Sequence, residues 1–364
     1  MPLQKLHRNP AELDSLNLYA SLGAGHRDSR RLDDPERVQE FISRVRDGVS
    51  ASLSRPSTVY GWHAQNFFGA LVAALDGVQM LKEEDAGTAY YAGTKIKIPD
   101  WSLILGDGRR LLVEVKSVGP KDTLKGLKIS TGEVEGITRY ATMMGCEAYL
   151  ATYWSGMNMW SLVPLRKLAA APGRKNIMLP VKSAMMWSEM SILGDRMLGV
   201  VPPLRLVIYP SNEVGKNQVI NGEVNFTIAK VEKWCGNQLM QTKVENDLVM
   251  FLLLHSDWEE QEQVVLSEDG SRLESFGWTA SPPARDPHQN FAVVGSLSSL
   301  YSSLYLSMTA HSGSVTSLAR EPEVGMLPRL VPPGFRSPRL PLWHFIVSPQ
   351  AEDSLGVVLD DATS

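Results

Sequence analysis

A glycine-flanked turn between two apolar runs constrains this chain more than any other feature. Residues 96–105 and 111–118 read as strands on either side of Gly106-Asp107-Gly108-Arg109, a β-hairpin signal. In the second run Leu111, Val113 and Val115 form a continuous apolar face. The other face carries Leu112, Glu114 and Lys116, so two opposite charges stand in the middle of an otherwise apolar strand. The turn length decides what they face. If Gly106, Asp107 and Gly108 form the loop, Leu105 pairs with Arg109, and counting back sets Asp100 opposite Glu114. Opposed residues share one face of a sheet, with Cβ atoms about 4.5–5.5 Å apart. Lys116 lies two positions on and shares that face. A loop one residue shorter would set Asp100 opposite Val115 and undo the convergence. Two readings stay open here: a polar site, or an exposed edge with a surface Glu–Lys pair of little energetic weight.

The hairpin lies in an orderly stretch. Asp33-Asp34-Pro35-Glu36 reads as a helix start, and Val38, Phe41, Ile42, Val45 and Val49 follow at helical spacing. Pro56 breaks that helix. A second one carries Trp62, Phe67, Phe68, Leu71, Val72 and Leu75, with Gly77 as a stop. Residues 78–81 and 89–91 read as short strands, 134–144 as a helix, and 148–154 and 159–163 as strands. Small, basic and proline residues over 169–175 read as a linker. Beyond it, 204–209 and 226–231 look like strands, and 248–254 reads as a strand or a buried helix. Residues 264–266 and 273–276 flank a second hairpin turn, and 297–305 has helical spacing. Residues 310–339 read as a Pro-, Gly- and Ser-rich arm, and 343–347 as a closing strand. The expected division is an N-terminal helical segment over 1–55, an α/β unit over 56–170 and a second mixed, β-rich domain over 176–364.

Composition narrows the function classes. At 364 residues and 43% hydrophobic content, the chain can bury a sizeable core in two domains. A net charge of −4 gives no global field for nucleic acid, so any such contact must come from local basic patches. Cys146 and Cys235 are too few for a disulfide framework and lack metal-binding spacing. The seven histidines are scattered, and neither a Walker-type loop nor a G-x-S-x-G elbow occurs. Residues 1–9 lack the apolar region of a signal peptide, and no run reaches the ~18 apolar residues of a membrane span. A cytoplasmic place and no membrane contact are therefore expected.

Two carboxylates converging beside a lysine suit one chemistry. Hard cations such as Mg²⁺ take carboxylate oxygens and keep several waters. A bound cation activates water and offsets charge on a phosphate under attack. Pro99-Asp100 followed by Glu114-Val115-Lys116 resembles the motif of the PD-(D/E)xK nuclease superfamily, the restriction-endonuclease-like fold. The order helix, strand meander, helix, strands over 60–165 matches that core, and Tyr140 and 149–154 resemble bacterial members. The resemblance covers under a third of the chain. It implies an α/β (α+β) core with a central mixed sheet flanked by helices. It also implies a Mg²⁺- or Mn²⁺-dependent nuclease, an endonuclease by preference, that hydrolyses phosphodiesters, with DNA favoured. Restriction, phage defence and repair are the roles such proteins serve. A homodimer is implied as well, with the C-terminal domain free for target or protein-partner contact. Asp100 and Glu114 would be metal ligands, the Val115 carbonyl a third, and Lys116 would position or activate the attacking water.

Several residues carry two readings. Many relatives use a glutamate on the first core helix, which falls here at Gln65 and adds no charge. Gln65 is either in the site or an ordinary polar residue at a helix start. Lys121, Lys125, Lys128 and Arg139 either contact phosphates or form solvated surface. Ser130, Thr131 and Thr138 cap a helix or donate to phosphate. Glu83, Glu84 and Asp85 read first as a solvated turn, second as a metal contact. Arg27, Arg30 and Arg31 form another basic patch. The competing function is a nuclease-fold protein without catalysis, serving as a nucleic-acid-binding or assembly module; Gln65 and the acidic net charge support it.

Overall fold

The computed structural model describes residues 3, 15–16, 18–20, 35–84, 89–169, 173–211, 217–284 and 288–349. Arg27, Arg30, Arg31, Asp33, Asp34, Asp85 and the acidic tail lie outside them. The fold is mixed α/β. Helix α1 (Pro35–Leu53) leads into α2 (Pro56–Ala74), which starts on Pro56, where a missing N–H costs nothing. A five-stranded sheet follows in the order β1 (Val78–Glu83), β2 (Trp101–Leu105), β3 (Arg110–Val118), β5 (Glu147–Trp154), β6 (Met159–Pro164). The β3–β5 pair is parallel and the others antiparallel, so the sheet is mixed. Between β3 and β5 the chain forms β4 (Leu127–Ser130) and α3 (Thr131–Met143).

The two helices cover opposite faces. Leu111, Val113, Val115 and Trp101 join Ala64, Phe67 and Leu71 of α2 in one apolar cluster. Leu112, Leu150 and Trp154 join Val134, Ile137 and Ala141 of α3 in a second. β3 is thus the middle strand, buried on both sides, which excludes the exposed-edge reading of Glu114 and Lys116.

Of the segment read as a linker, residues 170–172 lie outside the described ones; beyond it β7 (Asn176–Leu179) returns to pair with β4, and Ile177, Leu179 and Ala184 enter the cluster under α3. A second five-stranded antiparallel sheet runs Gln238–Leu239, Ile228–Cys235, Leu204–Pro210, Leu273–Ser281, Glu259–Leu266. Residues 248–254 are helical, within Lys243–His255, and not a strand. Helix α4 (Leu297–Thr309) packs on α2 and β6. Phe67 stacks on Tyr305 with centroids 4.4 Å apart, and His63 Nε2 meets Thr309 Oγ1 at 2.9 Å. The larger apolar cluster therefore draws members from both sides of the 169–175 segment, from Ala64 to Leu340. No helix among the described residues is long and apolar enough to cross a membrane.

Candidate metal centre on the central hairpin

The turn has the odd length that convergence requires. Leu105 N–H donates to Arg109 O at 2.8 Å, closing a loop of Gly106, Asp107 and Gly108. Gly108 takes φ +88°, a left-handed conformation open to glycine at little cost. Trp101 then pairs with Val113 and Ser102 with Leu112. One step further the same register sets Asp100 across from Glu114.

The ladder stops there for a chemical reason. Position 99 should next exchange bonds with Val115, but Pro99 has no N–H to give. Val115 N–H instead donates to Asp100 Oδ2 at 2.6 Å. In a strand the N–H and C=O of one residue point to the same side, so the Val115 carbonyl also faces β2. Residues 89–99, read in part as strand, carry no regular structure.

Asp100 and Glu114 lie on the sheet face that α3 covers. Glu114 is 2% exposed, and a buried carboxylate needs partners. Its Oε1 accepts from Lys116 Nζ at 2.6 Å and from Lys97 Nζ at 2.5 Å. Both lysines also reach Glu133 Oε1, Lys116 at 2.8 Å. Ser130 caps α3 by accepting from Glu133 N–H at 3.1 Å, which fixes Glu133 over the site. The site therefore holds Asp100, Glu114, Glu133, Lys97 and Lys116: three carboxylates and two ammonium groups.

Burial, with the Glu114 charge behind it, pushes the Asp100 carboxyl up to about 6, against the Val115 N–H and the two lysines. Burial also works to raise Glu133, but the bonds from Lys116 and Lys97 prevail and bring it to about 2. Burial opposes the charge on Lys116, and Glu114 and Glu133 more than restore it, so its pKa is raised.

Among the described residues, three buried polar atoms on this face have no hydrogen-bond partner: Glu114 Oε2, Thr152 Oγ1 and Glu84 Oε2. Thr152 pairs with Lys116 across the β3–β5 ladder. Glu84 is no solvated turn. Its side chain is 7% exposed, and its Oε1 accepts from Tyr140 at 2.7 Å. Glu83 does stay exposed.

Gln65 sits on α2, across the sheet from Glu114, and its carbonyl accepts from Trp101 Nε1 at 3.1 Å. Among the described residues its side chain makes no hydrogen bond to Asp100, Glu114 or Lys116. Arg139 spends its guanidinium on the Lys95 carbonyl, at 2.9 and 2.7 Å, and so holds the 89–99 segment to α3. Lys121 and Lys128 are exposed, and Lys125 bonds Asp122 at 2.7 Å. Sequence reasoning missed Lys97 and Glu133. The Ser130-x-x-Glu133 spacing, a capping signature, was the available signal for the second.

Neither a family model nor a curated protein matches the chain. Among solved structures it matches a Holliday junction resolvase of the archaeal hyperthermophile Archaeoglobus fulgidus. The identity is 25%, over 29% of this chain and 80% of that one, with a TM-score of 0.22. A likeness at that score carries no functional weight, so the reading below rests on the geometry.

Proposed function

We propose that the protein is a metal-dependent nuclease of the restriction-endonuclease-like fold that hydrolyses phosphodiester bonds, with DNA the favoured substrate. One observation carries the reading: the buried carboxylate of Glu114 on the central strand and the half-buried one of Asp100 opposite it converge beside Lys116. Burying like charges together is costly, and folds keep such clusters where chemistry uses them.

The donor set fits a hard cation. Asp100, Glu114 and the Val115 carbonyl would hold Mg²⁺ or Mn²⁺, and Glu114 Oε2 is a buried acceptor with no donor among the described residues. Among the described residues no group of three or more His, Cys, Asp or Glu is arranged around one point, so water would complete the shell. When bound, the cation would lower the pKa of a water and offset charge on the phosphate. Lys116 is held protonated by Glu114 and Glu133, so it acts as a fixed positive charge toward water and phosphate, not as a base. Asp100 is ionised above a pH of about 6 and accepts from Val115, which fixes its carboxylate. Gln65 and Arg139 are left out of the core set; Lys121 and Lys128 are exposed cations available to a phosphate backbone. A homodimer, and a role for 176–364 in target or partner contact beside a catalytic unit over 56–170, belong to the same proposal.

The experiment is incubation of purified protein with supercoiled plasmid, linear duplex, single-stranded DNA and RNA, with Mg²⁺, Mn²⁺ or EDTA. Cleavage that needs metal and vanishes in Asp100→Ala is the expected result. Cleavage unchanged by EDTA or by Asp100→Ala would reject the site.

A second reading has its own observation. Glu114, Glu133, Lys97 and Lys116 form a closed ion cluster that compensates itself without metal. A non-catalytic nucleic-acid-binding module would keep such a cluster for packing. Metal-independent binding of nucleic acid with no cleavage of any of the four substrates would favour it.

A further inference from the structure

We propose that Lys97 is a built-in counter-ion that occupies the cation position of the site and must be displaced before a divalent metal can bind. The proposal rests on the metal-site reading above and adds how access to that site is controlled.

Lys97 and Lys116 address the same two oxygens, Glu114 Oε1 and Glu133 Oε1, yet they reach them from different supports. Lys116 stands on the central strand, where β5 pairs it in register with Thr152. Lys97 comes from the 89–99 segment, which belongs to no ladder. Two contacts seat that segment on α3. Arg139 holds the Lys95 carbonyl, and Gly136 lets the backbone close in. A Cβ at Gly136 would meet Lys97 N at 3.1 Å and Lys97 Cβ at 3.2 Å. The stem of Lys97 is thus placed by packing, while its side chain keeps 36% exposure and a way out to solvent.

The charges explain why it enters. Glu114 lies between Asp100 on one side and the lysines it shares with Glu133 on the other, and Lys116 alone would leave two of the three carboxylate charges uncompensated. The Lys97 ammonium supplies the second positive charge, bonding Glu114 and Glu133 and acting on Asp100 through space. A hard cation held by Asp100 and Glu114 would sit at the same Glu114 carboxylate that the Lys97 ammonium bonds. Lys97 and Lys116 already share Glu114 Oε1, so a divalent ion there would be a third cation at one buried carboxylate, and the added repulsion expels one ammonium. The candidate to leave is Lys97, which stands outside any ladder and keeps Glu133 as a partner at the rim. Glu133 therefore serves as the resting place for the displaced ammonium, and both are positioning residues for the metal.

The test is Mn²⁺ binding by isothermal titration calorimetry, without nucleic acid, on wild type, Lys97→Met, Lys97→Arg and Glu114→Gln, each checked by thermal melting. Lys97→Met should bind Mn²⁺ at least about tenfold more tightly than wild type, the worth of about one pK unit of charge interaction. Lys97→Arg keeps the cation and should stay near wild type, and Glu114→Gln should lose binding. Lys97→Met binding no more tightly than wild type, while Glu114→Gln loses the metal, would overturn the Lys97 role and leave the site standing. Mn²⁺ binding unaffected by Glu114→Gln would overturn both. A second measurement needs no variant. Reductive methylation of the wild-type protein, read by peptide mass spectrometry, should speed up at Lys97 relative to exposed Lys95 when Mg²⁺ is added. An unchanged Lys97 to Lys95 ratio would also overturn the proposal.

Discussion

Asp100 is the residue at which folding and chemistry pull apart. Its carboxyl titrates at about 6 in the folded chain, raised by burial and by Glu114, against an ordinary value near 3.9. The folded state then binds more protons than the unfolded state between pH ~4 and ~6, so stability falls as pH rises through that window and the loss is complete above it. Asp100→Asn removes the charge and keeps an oxygen for Val115 N–H. We expect it to be more stable than wild type at pH 7.5, by on the order of 1–3 kcal/mol, and equal to it at pH 4. Urea unfolding at the two values measures this; equal stability at pH 7.5 would contradict the burial of the charge. Glu133 runs the other way. Its pKa of about 2 contributes stability that is present above pH ~4.5 and lost as pH falls through 2. At this scale the sequence was legible for Asp100, Glu114 and Lys116, because one turn and a period of two relate them. Lys97 and Glu133 were not, since they arrive through an irregular segment and a helix whose docking no local pattern encodes.

At the level of elements, local chemistry explains both the successes and the errors. The hairpin was legible because Gly108 and an odd loop fix the register within a few residues. Residues 96–99 looked like strand by composition, but Pro99 cannot join the ladder. Residues 248–254 could be a strand or a buried helix because the run is apolar on all sides; the deciding signal lay upstream. Thr242 and Glu245 form a reciprocal capping box that starts the helix. The β4–β7 pair joins segments far apart in sequence, and no period reveals it. The cap of α3 is a test at this scale. Ser130→Ala should cost about 1 kcal/mol, as lost N-caps do, and should weaken Mn²⁺ binding less than Glu114→Gln, because it loosens Glu133 and leaves both proposed ligands. Thermal melting and calorimetry on the pair would measure it; no stability loss would contradict the cap.

The whole molecule is tied together across the segment that composition marked as a linker. Phe67 is 1% exposed between Tyr153, Trp160 and the stacked ring of Tyr305, so α2 and α4 share a wall of the same core. Tyr305→Ala should therefore destabilise the entire chain, by about 3–5 kcal/mol as for other large buried aromatics. It should do so in one transition seen alike by near-ultraviolet signals and by proteolysis at residues 89–99. Two separated transitions would mean that the halves fold apart. Composition reads 169–175 as a linker but says nothing of the packing between its two sides, because that contact joins Phe67 to Tyr305 over more than two hundred residues.

The central claim is that Asp100, Glu114 and Lys116 form one metal-dependent hydrolytic site, and Lys116 tests it most directly. The measurement is Mg²⁺-dependent cleavage of the preferred substrate by wild type and by Lys116→Ala, with Mn²⁺ affinity recorded for both. The expected result is a loss of about 10²–10³ in rate, the size of removing one preorganised charge, with metal binding retained. Cleavage by Lys116→Ala at the wild-type rate would contradict the account.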